Sequence, residues 1–246
     1  MKRRIVVAGI GAALLLAGCT APVERTKADE ALQEGGWTAS PRITAVERQG
    51  AGLIVRGDAP PGARVVLRGD QDAAYAAGTD ASGRFELRVA ALPAAIVLRP
   101  EVQVGQFPAS GPERLLLASD GAMLAALLVE GGASRRMSGG PALDSVDGDG
   151  RGLVVSGRAR PGARVPVSVD GEGEVLASAD ATGRWMTALA NVGDRPVTIR
   201  VGGASFVYPG PADVASSGRV ERSGEGWRLT RVLSASARQT SWFPDA

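Results

Sequence analysis

Apolar and polar residues alternate one for one in several short stretches of this chain. Val165, Val167 and Val169 alternate with Arg164, Pro166 and Ser168; Val197, Ile199 and Val201 alternate with Thr198 and Arg200; Phe85, Leu87 and Val89 alternate with Arg84, Glu86 and Arg88. A period of two sends one row of side chains inward and the next toward water, so each stretch predicts a half-buried strand of an antiparallel sheet. Pro166 has no N–H to give a ladder, which predicts that its strand is an edge or carries a bulge. Between the strands stand "APPGA", "ARPGA", "DASG" and "DATG". Pro presets φ, Gly takes the positive φ of tight turns, and Asp hydrogen-bonds its own backbone, so each of these predicts a turn. Short strands separated by such turns predict an all-β fold of antiparallel β-sandwiches.

Two longer stretches, Arg114 to Leu128 and Arg219 to Leu233, predict appended hairpins turning at Asp120-Gly121 and at Gly224-Glu225-Gly226. Ala, Leu and Met leave a helix as the alternative for Leu115 to Val129, but the Ser-Asp-Gly interruption favours the hairpin.

The pattern is written twice. Residues 52–85 set against 152–185 without a gap give 16 identities in 34 positions, among them "PGARV" at Pro61 and again at Pro161. Pro41 and Pro141 keep the same offset. The duplication predicts two tandem sandwiches, at 41–132 and 133–246, after a segment 1–18 and a tether 19–40. The stretch "GGASRRMSGGP", Gly131 to Pro141, predicts a linker between the units that is flexible or at least solvent-exposed.

Composition changes this picture mainly at the start of the chain. Met1-Lys2-Arg3-Arg4 leads into the apolar run "IVVAGIGAALLLAG" and then to Cys19, the single cysteine of 246 residues. A basic start, a short apolar run and a small-residue exit predict a secretory signal. Leu16-Ala17-Gly18-Cys19 resembles the lipobox of bacterial lipoproteins. That resemblance implies cleavage before Cys19, a diacylglycerol on its sulfur and a membrane as the first partner. In that family an Asp after the cysteine favours inner-membrane retention, so Thr20 implies an outer-membrane lipoprotein; the periplasmic side is expected ahead of the cell surface. With Lys2, Arg3 and Arg4 gone, the 28 basic residues fall to 25 against 26 acidic ones, so a net +2 becomes −1. A nucleic-acid partner loses its electrostatic support.

Gly157 to Val167, "GRARPGARVPV", followed by "DATGRW" at Asp180 to Trp185, resembles the pattern of bacterial Ig-like domains. The resemblance covers about 35 residues of each unit; it implies a fold and leaves the function open.

The chain has no histidine. With Cys19 assigned to lipid, Ser-His-Asp, Cys-His and histidine-bound zinc chemistry have no residues to use. A Ser-Lys dyad would need Lys27, in the tether. Asp144, Asp147, Asp149, Asp170, Glu172 and Glu174 are the acids that paired-carboxylate hydrolysis would draw on, and their Gly-rich settings predict turn formers instead. "DSVDGDGRG" fails as an EF-hand, because Arg151 and Arg158 stand where oxygen ligands belong. No phosphate loop precedes a helix, so no cofactor is expected. Phe85 and Trp185 predict core anchors. The terminal "SWFPDA" offers Trp242, Phe243 and Pro244 either as packed residues or as an aromatic tail that contacts a partner.

These features lead to one expectation: a non-enzymatic, lipid-anchored envelope protein whose two modules bind or space other envelope components, with an envelope protein or cell-wall glycan as partner. The alternatives are a surface carbohydrate-binding or adhesin module and, behind it, an envelope hydrolase.

Overall fold

The computed structural model describes residues 39–246 apart from 71–72, 91, 93, 105–106, 121, 191, 194 and 212–216. The signal segment, Cys19, Lys27 and the tether as far as residue 38 lie outside the described residues. Every regular element among those described is a β-strand, and every named strand pairing is antiparallel.

The first half runs through β1 (Arg42–Gln49), β2 (Gly52–Asp58), β3 (Arg64–Arg68), β4 (Ala74–Gly78), β5 (Arg84–Val89), β6 (Ile96–Val104), β7 (Phe107–Ser110), β8 (Arg114–Asp120), β9 (Ala122–Leu128) and β10 (Arg135–Arg136). One sheet has the order β1-β2-β5; the other has β10-β9-β8-β6-β3-β4, with β7 also on β6. Val55, Phe85 and Leu87 from the first sheet meet Leu67, Leu98 and Leu115 from the second in one apolar core.

The second half repeats the plan with β11 (Leu143–Gly148), β12 (Gly152–Arg158), β13 (Arg164–Val169), β14 (Glu172–Ser178), β15 (Arg184–Ala190), β16 (Val197–Val201) and β17 (Ala204–Tyr208). It then adds β18 (Val220–Arg222), β19 (Gly226–Ser234) and β20 (Ala237–Pro244). The sheets are β15-β12-β11-β20-β19-β18 and β14-β13-β16-β17, enclosing a core of Val155, Val167, Trp185, Ile199, Tyr208 and Trp242.

The repeated words do the same work in both copies. Gly62 and Gly162 sit at φ 72° and 74° in the "PG" turns, closed by Ala63 N–H to Pro60 O at 3.2 Å and Ala163 N–H to Arg160 O at 3.0 Å. A buried valine, Val65 or Val165, follows each turn. Asp80 Oδ1 accepts from the N–H and hydroxyl of Ser82 and from Arg84 N–H, and Asp180 Oδ1 accepts from Thr182 and Arg184 in the same way. Gly57 and Gly157 leave no room for a Cβ, which would run into the Arg42 or Ala142 carbonyl and the ring of Phe85 or Trp185. Phe85 and Trp185 are buried core anchors, as expected.

Pro166 lies in an inner strand, with β14 on one side and β16 on the other. The ladder accommodates it by a register shift between Val167 and Val169, and its carbonyl accepts Gly202 N–H at 2.9 Å. Residues 114–128 form a hairpin rather than a helix, paired from Arg114↔Leu128 to Asp120↔Ala122. The second appended segment also makes a hairpin, with Arg222 opposite Trp227 and Gly224 at φ 57°.

One expectation is corrected, and one pair of alternatives is decided. The linker is threaded through packed protein: Ser134, Arg136 and Ser138 are buried, because Arg135–Arg136 is strand β10 on the edge of β9. The terminal aromatics form no free tail, because β20 is an inner strand between β11 and β19. Trp242 and Phe243 are 1% and 0% exposed, and Pro244 is buried with them.

Candidate functional site

The place where chemistry concentrates is the seam between the two halves. Its apolar part is a third cluster made chiefly from the two appended segments: Leu116, Ala118, Leu124, Ala126 and Leu128 from β8 and β9 against Leu229 and Phe243 from β19 and β20. Alternation explains the assignment. On β8, Leu115 and Leu117 face the first core, so Leu116 and Ala118 face outward and need a cover. On β20, Trp242 faces the second core and donates Nε1–H to Ser223 O at 2.9 Å, while the next residue, Phe243, faces the seam.

The polar part is built around Asp147, which is 4% exposed. Five donors lie within hydrogen-bond reach of its carboxylate: Ser134 N–H at 2.8 Å, Ser134 Oγ at 2.6 Å, Ser145 Oγ at 2.8 Å, Ser241 Oγ at 2.5 Å and Gln239 Nε2 at 3.2 Å. Burial pushes this carboxyl above the usual range, and the donated hydrogen bonds pull it back. The two N–H of Gln239 Nε2 are shared among Asp147 and the carbonyls of Val129 and Gly132, and its Oε1 accepts Gly131 N–H, so one side chain of β20 fastens the start of the linker. Ser134 O accepts the Ser156 hydroxyl at 2.9 Å and lies 2.9 Å from the Ser145 hydroxyl, whose one proton serves either it or Asp147. On the other side Met137 N–H and Ser138 N–H donate to Ala125 O of β9. The linker is thereby stitched to both halves.

Two arginines are buried at this seam without a carboxylate in ion-pair reach among the described residues. Arg136, 2% exposed, donates Nη2–H to Pro244 O and leaves Nε unpartnered; burial pushes its pKa down to about 10, with Asp144 pulling the other way. Arg231 donates Nη2–H to Val129 O at 3.1 Å and likewise has no partner at Nε. Burial is the main cause of its lowered pKa as well.

The six acids singled out in the sequence do not share one environment. Asp149 closes a turn, accepting Arg151 and Gly152 N–H, and those bonds hold its carboxyl below the usual range. Asp170, at φ 49°, accepts Thr198 N–H and pairs with Arg195 at 2.7 Å. Glu174 is exposed, and the Glu172 side chain lies outside the described residues. The turn-former reading fails for Asp144 and Asp147. Asp144 is buried against Arg158 at 2.9 Å, with its carboxyl raised by that burial, and Asp147 is the hub of the seam. Both stand on β11, whose outer side is covered rather than wetted.

Asp147 and Asp149 border one groove of about 590 Å³ with Arg151, Arg238 and Gln239. Donors from within the seam hold the Asp147 oxygens, so the exposed carboxylate on this groove is Asp149, itself held by the Arg151 and Gly152 N–H groups. Among the described residues no three metal-ligating side chains come together.

Sequence reasoning passed over Ser134, Arg136, Arg231 and Gln239. The signal lay in the repeat itself. Where the first copy has Glu47 and Arg56, the second has Asp147 and Ser156, a long exposed pair exchanged for a shorter acid beside a hydroxyl. Compared with models of known families and with curated proteins, the chain gives no match.

Proposed function

We propose that this chain is an outer-membrane lipoprotein, anchored through Cys19 and facing the periplasm, whose two Ig-like sandwiches act as one rigid, non-enzymatic body that binds or spaces other envelope components. The partner is an envelope protein or a cell-wall glycan. The observation that carries this reading is the seam. An apolar cluster and a fully hydrogen-bonded buried acid tie the halves together, and a fixed spacing between binding surfaces requires such a joint. Inter-domain contacts that are small and polar leave modules free to move; a joint with an apolar centre and a stitched linker does not. The lipobox and the charge balance after cleavage support the membrane part of the proposal.

The test is fatty-acid labelling and membrane fractionation of the chain and its Cys19→Ala form, followed by in-cell crosslinking and affinity capture. Labelling lost in Cys19→Ala, together with a defined envelope protein or glycan in the capture, is the expected result. Equal labelling of both forms would refute the anchor. Removal of the chain by protease from intact cells would move it to the surface and favour the adhesin alternative. Peptidoglycan hydrolysis abolished by Asp149→Asn would make it an enzyme.

A further inference from the structure

The outward face of the β3-β6-β8 sheet carries a row of like charges. Arg68 on β3 stands directly opposite Arg99 on β6. Leu98 stands opposite Leu115, and the same antiparallel register carried one residue further sets Arg99 abreast of Arg114 on β8. Leu67, Leu98 and Leu115 belong to the first core, so alternation puts Arg68, Arg99 and Arg114 together on the other face. With strands about 4.8 Å apart, the row spans roughly 10 Å.

A fourth guanidinium faces this row from the second half. Leu229 on β19 packs into the seam, and Arg231, two residues on, shares its side of the strand. Arg231 is 9% exposed, and its Nε has no hydrogen-bond partner. All four arginines line one groove of about 410 Å³, together with Asp70, Glu130, Gly218 and the end of β19. Glu101 pairs with Arg68 at 3.1 Å; Arg99, Arg114 and Arg231 have no carboxylate in ion-pair reach among the described residues. Arg231 is attracted by the buried Asp147 and, more weakly, by Glu130, while Arg114 is near enough to repel it.

Like charges set opposite each other across a sheet cost stability, and so does a buried guanidinium N–H without an acceptor, as at Arg231 Nε. Both costs fall on the same groove, and one bound anion relieves both. We propose that this groove binds a ligand carrying two or more phosphate groups, laid along the row from Arg68 to Arg114 and held from above by Arg231. A single carboxylate has two oxygens, too few for four guanidinium forks of five N–H donors each, whereas phosphates supply three acceptor oxygens apiece and match the fork geometry. The proposal stands whether or not Cys19 carries lipid. Its two sources, a soluble phosphate ester and a phosphate-bearing lipid headgroup, share this chemistry.

The test is calorimetric titration of the purified full chain with tripolyphosphate and with inorganic phosphate, beside flotation with phosphatidylcholine vesicles that contain or lack cardiolipin. Tripolyphosphate binding more tightly than inorganic phosphate, and weakened about tenfold or more in Arg99→Gln and further in Arg99→Gln/Arg114→Gln, is the expected result. The exposed Arg160→Gln, on a turn of the second half, leaves the affinity unchanged. Cardiolipin-dependent flotation without tripolyphosphate binding assigns the site to a lipid headgroup; the reverse assigns it to a soluble ligand. Binding of neither overturns the proposal, as does an affinity that the double variant does not alter. A second readout needs no ligand. Arg99→Gln relieves repulsion in the row and raises the thermal midpoint of the unliganded chain; a lowered midpoint would mean that the row is internally balanced, and the proposal falls.

Discussion

Glu47 and Asp147 hold the same place in the two copies, and so do Arg56 and Ser156, yet they do opposite things. Glu47 is 60% exposed and pairs with Arg56 at 2.6 Å across the outer face of β1 and β2. Asp147 is buried on β11, with the Ser145 hydroxyl reaching it at 2.8 Å and the Ser156 hydroxyl 3.0 Å beyond that. The difference lies in what covers the strand. In the first copy β1 is the edge of a three-stranded sheet, whereas in the second copy β20 pairs with β11 and the linker lies against it. A long ion pair suits a wet face, where water solvates whatever the geometry leaves unpaired. Under cover, an acid needs short, fixed donors that leave no lone pair empty, and serines supply them.

The appended hairpins diverge in the same sense. The β8-β9 hairpin extends the sheet that contains β6, while the β18-β19 hairpin joins the opposite sheet through β20, which pairs with β11. The parts of the chain that are not repeated are thus the parts that join the copies. Duplication supplied two frames, and divergence supplied the seam.

The comparison can be broken at several points. The largest effect is expected at Phe243, the aromatic of the seam. Phe243→Ala should destabilise by about 3–5 kcal/mol and separate the unfolding of the halves into two transitions, measured by calorimetry. A single transition at an unchanged midpoint would show that the seam does not couple them. Next come the shared glycines. Gly57→Ala and Gly157→Ala should each cost about 3 kcal/mol or more, and by similar amounts, because the same carbonyl-and-ring collision awaits a Cβ in both copies. An inert substitution in either copy would break the equivalence.

Asp147→Ala strands several buried donors and should cost about 3 kcal/mol in denaturant unfolding, against less than about 1 kcal/mol for Glu47→Ala. Equal costs would erase the contrast. The pH dependence sharpens it further. Burial raises the Asp147 carboxyl above 3.8, so its stabilising contribution is complete below that pH and drains away as pH rises through the folded-state value. The stability of the wild type minus that of Asp147→Asn should therefore fall as pH increases. At Asp180 the Thr182 hydroxyl, and then the backbone N–H groups, lower the carboxyl, and the sign reverses: wild type minus Asp180→Asn should grow with pH, the advantage being lost on acidification. Like signs at the two sites would contradict the assigned causes.

Much of the frame was legible in the chain because it rests on local physics. The strands announced themselves by period two, the turns by Pro-Gly and Asp-x-x-Gly, and the copies by an offset that never slips. The linker was misread for an equally physical reason. "GGASRRMSGGP" has the composition of an exposed connector, and only its neighbours turn those small polar residues into buried donors. "SWFPDA" is as consistent with a docking tail as with an inner strand until the register of β20 against β11 and β19 is known. Asp147 showed its acid and hid its surroundings, since Ser134, Gln239 and Ser241 come from distant parts of the chain.

By itself, the sequence determined the strands, the tight turns and the duplication, all of which depend on residues within a few positions of one another or on direct repetition. The tertiary structure alone decided which faces are covered. It buried the linker and the terminal aromatics, set a carboxylate among serines, and brought Arg231 to a row of arginines on the other half. The reason is that burial and charge compensation are properties of surfaces brought together by folding, and no local pattern records which surface a strand will meet.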